Sequence, residues 1–289
     1  MIVILGDIAV DIVSYLRSPL RRGSDAPAEV RVMPGGSGAN VAGWLSRLGS
    51  PVTFIGRVGD DLFGRVLTED LVRQGVQPAL AVDPSHETGV IQVLVEPDGE
   101  RTMVPDRGAN ANWAADDISE SLIAEADLLH VTGYVLLDGA SRGGALKAMD
   151  YARRHGVPIS LDPSSHGPLY DLGAAGFWSL TGEVAALLPN RTEALALSGE
   201  AAVEPALEVL LTPAQVVAIK LDRDGCIAGC GKLRWRQAAP QVAVANATGA
   251  GDAFDAAFLE RWLATGDLAE ACRSGVTVGS HAATLRTTR

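Results

Sequence analysis

Residues 242–258 read VAVANATGAGDAFDAAF: a turn with two glycines, an acid, and then an apolar run. Apolar residues from Phe254 to Trp262 recur at the spacing of one helix face, which predicts a helix that begins near Ala250. The first amides of a helix have no partner within it, and the helix dipole gives that end a partial positive charge. The stretch therefore predicts an anion site in front of a packed helix.

Asp252 admits a simpler interpretation, because an acid in the first turn of a helix is favoured by about 0.3–1 kcal/mol through the dipole alone. Capping leaves Gly249 and Gly251 unexplained, since glycine at a helix start costs stability without adding contacts. The glycines and the acid together favour a functional site. The stretch is not a Walker A loop, because no Lys-Ser/Thr pair follows the glycines.

Short apolar runs alternate with helical patterns along most of the chain. The runs are IVIL (2–5), VTFIG (52–56), LLHVTG (128–133), VPISLD (157–162) and VVAIKL (216–221). Uninterrupted runs are typical of strands buried on both faces of a parallel sheet. The alternation predicts an α/β fold, a mainly parallel central sheet between two helical layers.

Two segments interrupt this alternation. Residues 12–34 contain strand-like pieces without a convincing helix, and residues 88–107 predict a hairpin around the Pro-Asp-Gly turn at 97–99. Two antiparallel inserts predict a small sheet beside the main body, such as a lid. No linker rich in proline, glycine or serine marks a second domain, so we expect a single domain over residues 1–289.

The 289 residues include 35 acidic and 24 basic side chains, a formal net charge of −11. This charge argues against nucleic acid or an anionic membrane surface as the main partner. The apolar start, MIVILGDIAVDIV (1–13), carries two acids and no preceding basic region, so it predicts a buried strand and not a signal peptide. Three cysteines without a CxxC pair predict reduced thiols in a cytoplasmic protein.

Two further glycine-containing stretches follow strands or begin helices. GDIAVD (6–11) lacks the GxGxxG fingerprint of dinucleotide sites, but Asp11 lies just past the first strand, where open α/β sheets bind ligands. In PGGSGANVAGWL (34–45) the glycines permit close backbone approach, a helix begins near Ala39, and Asn40 can hydrogen-bond a hydroxylated ligand. The alternative for Asp11 is an exposed acid in a turn. The alternative for residues 34–45 is a helix start without a binding role.

LLPNRTEALALSG (187–199) combines a strand end with the start of a helix. Asn190 and Glu193 share one side of the first helical turn and could hold a hydrated Mg²⁺ ion. The same pair is also a good capping box. Both interpretations stay open at this point.

Together these stretches resemble the ribokinase-like (PfkB) family of carbohydrate and nucleoside kinases. Residues 35–49 are similar to the family's N-terminal signature, and ATGAGDAFDAAFL (247–259) is similar to its C-terminal one. GRVGDDLFG (56–64), GAN (108–110) and PNRTE (189–193) fall between them in the expected order. The resemblance covers the whole chain and implies an ATP-dependent phosphotransferase with a nine-stranded or similar sheet, a β lid and Mg²⁺ as a cofactor.

The resemblance also implies roles for individual residues. Asp252 would take the proton from the substrate hydroxyl, in front of an anion hole formed by Gly249, Ala250 and Gly251. The sugar would be bound by Asp11, Gly35, Gly36, Asn40, Arg107 and Asn110. ATP would contact Asn190, Lys220 and Gly225, and Glu193 would organise Mg²⁺.

The chain departs from the family pattern at three places. Asn246-Ala247 replaces the Asp-Thr pair whose acid helps to hold a monovalent cation in many relatives. The stretch ATLRTTR (283–289) lacks the glycine-alanine and proline segment that completes the same site, so both departures argue against potassium activation. Asp222 stands where relatives commonly carry glycine, and it would either repel phosphate or point to solvent.

Aromatic residues make up 5% of the chain, and the two inserts contain only Tyr15. Nucleoside kinases of the family tend to sandwich a base between aromatic rings, so we expect a pentose, a hexose or a keto-sugar acid. Arg107 could bind the carboxylate of a sugar acid in a bidentate manner. A nucleoside kinase and a non-catalytic sensor are the alternatives. In relatives the lid can form a dimer contact, which makes a homodimer through the lid a further expectation.

Overall fold

The computed structural model describes residues 1–164 and 166–285. The last four residues of the stretch ATLRTTR, on which part of the cation prediction rests, lie outside the described residues. The strands are β1 Ile2–Leu5, β2 Ala9–Leu16, β3 Ala28–Gly35, β4 Val52–Gly59, β5 Gln77–Asp83, β6 Val90–Val95, β7 Arg101–Asp106, β8 Leu128–Thr132, β9 Ile159–Asp162, β10 Val184–Leu187, β11 Ala214–Lys220, β12 Cys226–Cys230 and β13 Leu233–Gln237. The helices are α1 Ser37–Arg47, α2 Leu62–Arg73, α3 Glu120–Ala124, α4 Gly133–Leu137, α5 Arg142–His155, α6 His166–Thr181, α7 Arg191–Ser198, α8 Val203–Leu210, α9 Ala250–Thr265 and α10 Leu268–Ala283.

The main sheet has nine strands in the order β13-β12-β11-β10-β9-β8-β1-β4-β5. Its pairs from β11 to β5 are parallel, whereas β12 and β13 form an antiparallel hairpin at one edge. Val3 and Leu5 pack into one apolar core with helices α5 to α8, and Ile2 and Ile4 pack into the other with α1, α2, α9 and α10. Because successive residues of a strand face opposite layers, each buried strand is apolar throughout. The three-layer α/β prediction is confirmed.

The second sheet, which we call the lid sheet, has the order β3-β2-β6-β7. Both predicted inserts are antiparallel pairs, but β2 and β6 join them in parallel, from Val10 opposite Val90 to Tyr15 opposite Val95. The inserts therefore form one continuous sheet. Strand β2 begins at Ala9, before the predicted insert, and so Asp11 belongs to the lid sheet itself.

Helix α9 differs from the predicted single stripe, because every residue from Ala253 to Leu259 is buried. It packs closely against α10 and α1 as well as the sheet, so it has no solvent face along this part. Helix α1 begins at Ser37, two residues before the predicted start. Among the described helices, none has the length and apolar character that crossing a membrane requires.

Candidate active site

The start of α9 presents backbone amides without a side-chain cap. Its N-cap residue is Gly249, which has φ of 81°, a left-handed conformation that favours glycine. The amide of Ala250 donates to the carbonyl of Ala247 at 3.3 Å. A side chain added at Gly251 would lie 3.8 Å from the ammonium of Lys220, so a cation stands beside this turn. Amides, the helix dipole and this ammonium therefore surround one small region.

Asp252 lies in the first turn of α9 and is held from α1. Ser37 donates its hydroxyl to Asp252 Oδ1 at 2.7 Å, and Asn40 donates its side-chain amide to Asp252 Oδ2 at 2.8 Å. Burial raises the pKa of Asp252 to about 6, and the two hydrogen bonds oppose that rise only in part. The carboxylate is thus fixed in place, ionised at neutral pH, and still basic enough to accept a proton.

The glycine-rich start of α1 is packed around an acid that the sequence analysis did not single out. Asp7 accepts hydrogen bonds from the amides of Ser37 and Gly38 at 3.2 and 3.3 Å. A side chain at Gly36 would come within 2.6 Å of the Asp7 carbonyl oxygen. The amides of Ser37 and Gly38 are therefore already occupied, whereas the start of α9 has no side-chain cap.

Asp11 lies directly against Gly35. It is 5% exposed, and a side-chain carbon at Gly35 would be 2.3 Å from its Oδ1 atom. Glycine is required there because any side chain would displace this carboxylate. The burial of Asp11 excludes the interpretation as an exposed turn acid.

A narrow cavity separates the lid sheet from the turn before α9. Aliphatic side chains of the lid sheet line it, together with the polar residues Asp11, Tyr15, Arg101, Asn246 and Thr248. The free volume within it is about 10 Å³, roughly what one water molecule needs. The cavity therefore brings one predicted sugar residue close to the turn that leads into the anion hole.

Arg107 and Asn110 bind backbone carbonyls near this cavity. The Asn110 amide oxygen accepts from the Ile8 nitrogen at 3.0 Å, and its Nδ2 donates to the Ile8 carbonyl at 2.8 Å. Arg107 donates to the Tyr134 carbonyl at 2.9 Å and forms an ion pair with Asp138 at 3.1 Å. Both side chains hold loops in place here, and their contact with a sugar stays a prediction.

Lys220 does not face the site as a free cation. Its ammonium lies 3.0 Å from Asp162 Oδ2 and 2.9 Å from Asp255 Oδ1, with the side chain only 12% exposed. The two carboxylates raise the pKa of Lys220, and the ammonium lowers the pKa of Asp162, whereas burial raises the pKa of Asp255 well above its usual range. The acids stand at the end of β9 and one helical turn after Asp252, so neither is close to Lys220 in sequence.

Asn190 and Glu193 form the capping box of α7. Asn190 Oδ1 accepts from the Glu193 amide at 2.9 Å, while Glu193 accepts from the Asn190 amide and side chain at 2.8 and 2.7 Å. Burial and Asp162 raise the pKa of Glu193 to about 7. No cluster of three or more acidic, histidine or cysteine side chains suited to a metal occurs within residues 1–164 and 166–285. A Mg²⁺ ion here would thus need phosphate oxygens as further ligands.

The loop from Lys220 to Gly225 lies beside this capping box, because Lys220 forms a β-bridge with Asn190. Gly225 packs against the end of β13, where an added side chain would lie 1.9 Å from the Gln237 carbonyl oxygen. Asp222 is exposed and has φ of 53°, the backbone region in which glycine is easiest to accommodate. Its side chain points to solvent, one of the two predicted alternatives.

The departure at Asn246 has a structural role of its own. Its side-chain oxygen accepts from the Thr248 amide at 3.0 Å, and its backbone amide donates to the Ala283 carbonyl at 3.1 Å. Arg101 of the lid sheet donates to the Thr248 hydroxyl at 2.6 Å. Arg101 was not predicted as a contact of this turn, because its only signal in the sequence is an arginine after a hairpin turn.

Comparisons with known proteins identify the family of the chain. The profile of the pfkB family carbohydrate kinases matches residues 1–289. An uncharacterized sugar kinase of Archaeoglobus fulgidus is 30% identical over 234 residues, 80% of this chain and 90% of the relative. The fructokinase of Solanum tuberosum is 29% identical over 267 residues, 90% of this chain and 80% of the relative.

Solved structures share the fold at lower identity. The adenosine kinase of Sinorhizobium meliloti has a TM-score of 0.86 at 24% identity, covering 100% of this chain and 95% of that chain. A fructokinase of Vibrio cholerae O395, solved with fructose, ADP and a calcium ion, has a TM-score of 0.82 at 24% identity, covering 99% and 94%.

Fold, site and relatives together define an ATP-dependent carbohydrate kinase of ribokinase-like fold. The chain belongs to the pfkB family of carbohydrate kinases, over its full length. ATP and a divalent cation are the cofactors of this family.

Proposed function

We propose that the protein phosphorylates a hydroxyl of a small sugar, with Asp252 as the base that accepts the hydroxyl proton. The observation that carries this proposal is the setting of Asp252: Ser37 and Asn40 fix its two oxygens at 2.7 and 2.8 Å, beside uncapped amides. Its pKa of about 6 leaves it ionised at neutral pH. A sugar hydroxyl at this carboxylate would lose its proton as it attacks phosphorus.

The anion hole in this proposal is the turn of Gly249, Ala250 and Gly251. Phosphoryl transfer spreads negative charge over three oxygens, and preorganised amides at a helix start stabilise that charge. ATP supplies the transferred group. Lys220, Asn190 and Gly225 would contact the nucleotide from the neighbouring strand ends. Because Asn190 already bonds both oxygens of Glu193, we propose that Glu193 orients Asn190 rather than contacting Mg²⁺ itself.

We propose a pentose, a hexose or a keto-sugar acid as substrate, bound by Asp11, Gly35 and Asn40. The cavity above the anion hole is lined by aliphatic side chains and one aromatic ring, that of Tyr15. A sugar needs polar partners and a modest apolar surface, whereas a nucleobase needs stacking partners that this cavity does not provide within the described residues. The similarity to an adenosine kinase concerns the fold and does not outweigh this difference.

The experiment that tests the proposal is a screen for ADP release over pentoses, hexoses, sugar acids, sugar phosphates and nucleosides, with and without potassium. Asp252→Asn is expected to fold, to bind ATP and to lose nearly all transfer. Asp25→Asn, at an exposed loop position, changes an acid to an amide away from the site and serves as the control. Retained turnover in Asp252→Asn would refute the assignment of the base. Ligand-induced stabilisation without any ADP release would support a sensor.

We also propose that the outer face of the lid sheet forms a homodimer contact. Met33 lines the cavity, and residues an odd number of positions apart in a strand point to opposite faces, so Val30 and Val32 face away from the cavity. Their exposed fractions are 57% and 61%. Light scattering is expected to give a dimer for the natural chain and a monomer for Val32→Glu. A monomeric natural chain would contradict this proposal.

A further inference from the structure

A buried acid lies one helical turn after the proposed anion hole and has no part in the proposed function. Asp255 is fully buried in α9, and its spacing of four residues from Gly251 places both on one helix face. Side chains of a helix lean toward its N-terminus, so this carboxyl group is directed toward the turn at Gly251. There it contacts the ammonium of Lys220, 2.9 Å from Oδ1 and 3.0 Å from Oδ2. A side chain added at Gly251 would meet only that ammonium within 4 Å. Asp255 therefore helps to fix a cation beside the proposed anion hole.

Two acids share this one ammonium. Asp162 Oδ2, at the end of β9, also lies 3.0 Å from Lys220 Nζ. Asp162 is 6% exposed and Asp255 is 0% exposed, so water screens neither carboxyl group. If both were ionised, a single ammonium would face two buried carboxylates, and the excess negative charge would lie beside the anion hole. One of the two acids therefore carries a proton.

The donors around the two acids identify the one that is protonated. Asp162 Oδ1 accepts from the Ser164 amide at 2.8 Å, and its Oδ2 accepts from Lys220, so both oxygens of its ionised form are satisfied. In the part of the chain that the structure describes, no backbone amide donates to Asp255. The two carboxyl groups are also within hydrogen-bonding reach of each other, and such a bond requires a proton on one of them. Burial raises the pKa of Asp255 well above its usual range, whereas Lys220 holds the pKa of Asp162 below its usual value despite burial.

A proton on Asp255 determines how many N–H groups of Lys220 remain available. An ammonium has three N–H groups. A neutral Asp255 accepts one of them through its carbonyl oxygen and donates its own O–H to Asp162, which accepts the second. The third has no acceptor among the residues described in the structure, and the turn at Gly251 lies beside it. An ionised Asp255 could instead engage two N–H groups with its two oxygens.

We propose that Asp255, as a neutral carboxylic acid, is a positioning residue that holds Lys220 with one N–H directed at the transferred phosphoryl group. Asp162 balances the charge of the ammonium. Asp255 fixes its direction without adding a second negative charge beside the anion. The inference rests on the proposed function for the place of the phosphoryl group, whereas the proton on Asp255 and the response of Lys220 to ATP can be measured without a sugar.

Two substitutions of Asp255 separate the role of a neutral acid from that of a charge. Asp255→Leu keeps a branched side chain without hydrogen bonds, and losing a bond to a charged group predicts a kcat roughly 10- to 100-fold lower. Asp255→Asn is the matched control: its amide offers the acceptor and the donor of the neutral acid and should recover most of that loss. The KM for the sugar should be unchanged in both variants. Added to Lys220→Met, Asp255→Leu should cause no further loss, because both act through the same ammonium.

Carboxyl NMR tests the protonation directly. With aspartate labelled with ¹³C at the carboxyl carbon, one signal of a neutral carboxyl group is expected at pH 8, and it should disappear in Asp255→Asn. Asp25→Asn, at an exposed loop position, should remove only a signal of an ionised group. Asp252, with a pKa of about 6, is ionised at this pH. Three other ionisable side chains near the cluster carry no label: Glu193, His130 and Tyr134.

Lysine NMR tests the direction of the ammonium. The chain contains three lysines, Lys147, Lys220 and Lys232, so labelled lysine gives three side-chain signals, and Lys220→Met assigns the one of interest. Mg·ATP should shift the Lys220 signal in the natural chain and in Asp255→Asn. The shift should be absent in Asp255→Leu, in which the ammonium is no longer held toward the turn.

Each readout can overturn the proposal. A natural chain without a neutral carboxyl signal at pH 8, or an Asp255→Asn variant as inactive as Asp255→Leu, would mean that Asp255 acts as a charge. A Lys220 signal that responds equally to Mg·ATP in Asp255→Leu, or losses that multiply with Lys220→Met, would mean that Asp255 does not direct the ammonium. The carboxyl signal of the natural chain does not depend on the folding of any variant. If the natural chain phosphorylates no sugar, the proposed function fails, and the two NMR measurements still decide this inference.

Discussion

The buried setting of Asp252 predicts that activity is lost at an unusually high pH on acidification. We call the pH at which kcat/KM has fallen to half of its plateau value the acid limit. The base must be ionised to accept a proton, and burial raises its pKa from 3.8 to about 6. At pH 5 about one tenth of the molecules would carry the carboxylate, and at pH 7 about nine tenths. We therefore expect kcat/KM at pH 5 to be about one tenth of its value at pH 7.

The hydroxyl of Ser37 moves this limit in a defined direction. Its hydrogen bond of 2.7 Å stabilises the ionised carboxylate and so lowers the pKa of Asp252. Hydrogen bonds to charged groups contribute about 1.5–3 kcal/mol, and one pKa unit corresponds to about 1.4 kcal/mol. Ser37→Ala should therefore raise the acid limit by about one unit, to about pH 7.

The assay is kcat/KM measured from about pH 4.5 to pH 8.5, with ADP quantified directly by chromatography so that no coupling enzyme contributes its own pH dependence. Ser46→Ala, on the same helix but bonded to the Gln74 carbonyl, is the control and should leave the limit near 6. The reasoning would be refuted if the acid limit of the natural chain lay close to the ordinary aspartate pKa. A Ser37→Ala profile that stays in place or moves to lower pH would also refute it.

Three further predictions concern stability and binding. Asp252→Asn should raise the free energy of unfolding by up to about 3 kcal/mol at pH 8 and by almost nothing near pH 3, since the cost of the buried carboxylate begins as the pH rises through the ordinary pKa of 3.8 and is complete above about 6; urea titrations at both pH values measure this. Lys220→Met should lower it by about 3–5 kcal/mol, because the buried Asp162 carboxylate loses its ion-pair partner and Asp255 loses its hydrogen-bond donor, whereas the exposed Lys232→Met should change it by less than about 0.5 kcal/mol in the same titrations. Gly35→Ala should raise the KM for the sugar about 10-fold or more without changing the KM for ATP, because the added methyl group would displace the Asp11 carboxylate. Gly143→Ala, whose methyl group would meet nothing within 4 Å, should alter neither KM. An unchanged KM for the sugar in Gly35→Ala would contradict this steric argument.

The fold could be predicted because its signals are local. A strand buried on both faces is apolar throughout, and a packed helix repeats every three to four residues, so the segments at 2–5 and 128–133 were identifiable from composition and order alone. The parallel pairing of β2 with β6 was not predictable from local patterns. It depends on two hairpins that are far apart in sequence, and each hairpin's own alternation is the same whether or not they pair.

The site residues likewise divide into those that the local sequence indicates and those that it does not. The residues to which we assign the anion hole and the base are contiguous in sequence, from Gly249 to Asp252, so the assignment could be made from one stretch. The partners of Lys220 are Asp162 and Asp255, which lie on two other elements, and nothing in the local sequence indicates that three charges converge. Asn110 shows a second limit: its residue type suits a sugar hydroxyl, but its contacts with the backbone of Ile8, 102 positions away, could not be predicted from the local sequence.

A protein with a net charge of −11 must create positive potential locally to bind a phosphate. Lys220 alone does not provide it, because its ammonium is shared between two carboxylates within 3.0 Å. In the proposed site the amides at the start of α9 would provide it, since no side chain caps them, whereas Asp7 occupies the equivalent amides of α1. Neutral backbone dipoles have a further advantage beside Asp252, because a free lysine there would lower the pKa of the base and weaken it as a proton acceptor. The arrangement therefore separates two requirements that a single exposed cation would bring into conflict: attraction of the anion and basicity of the carboxylate.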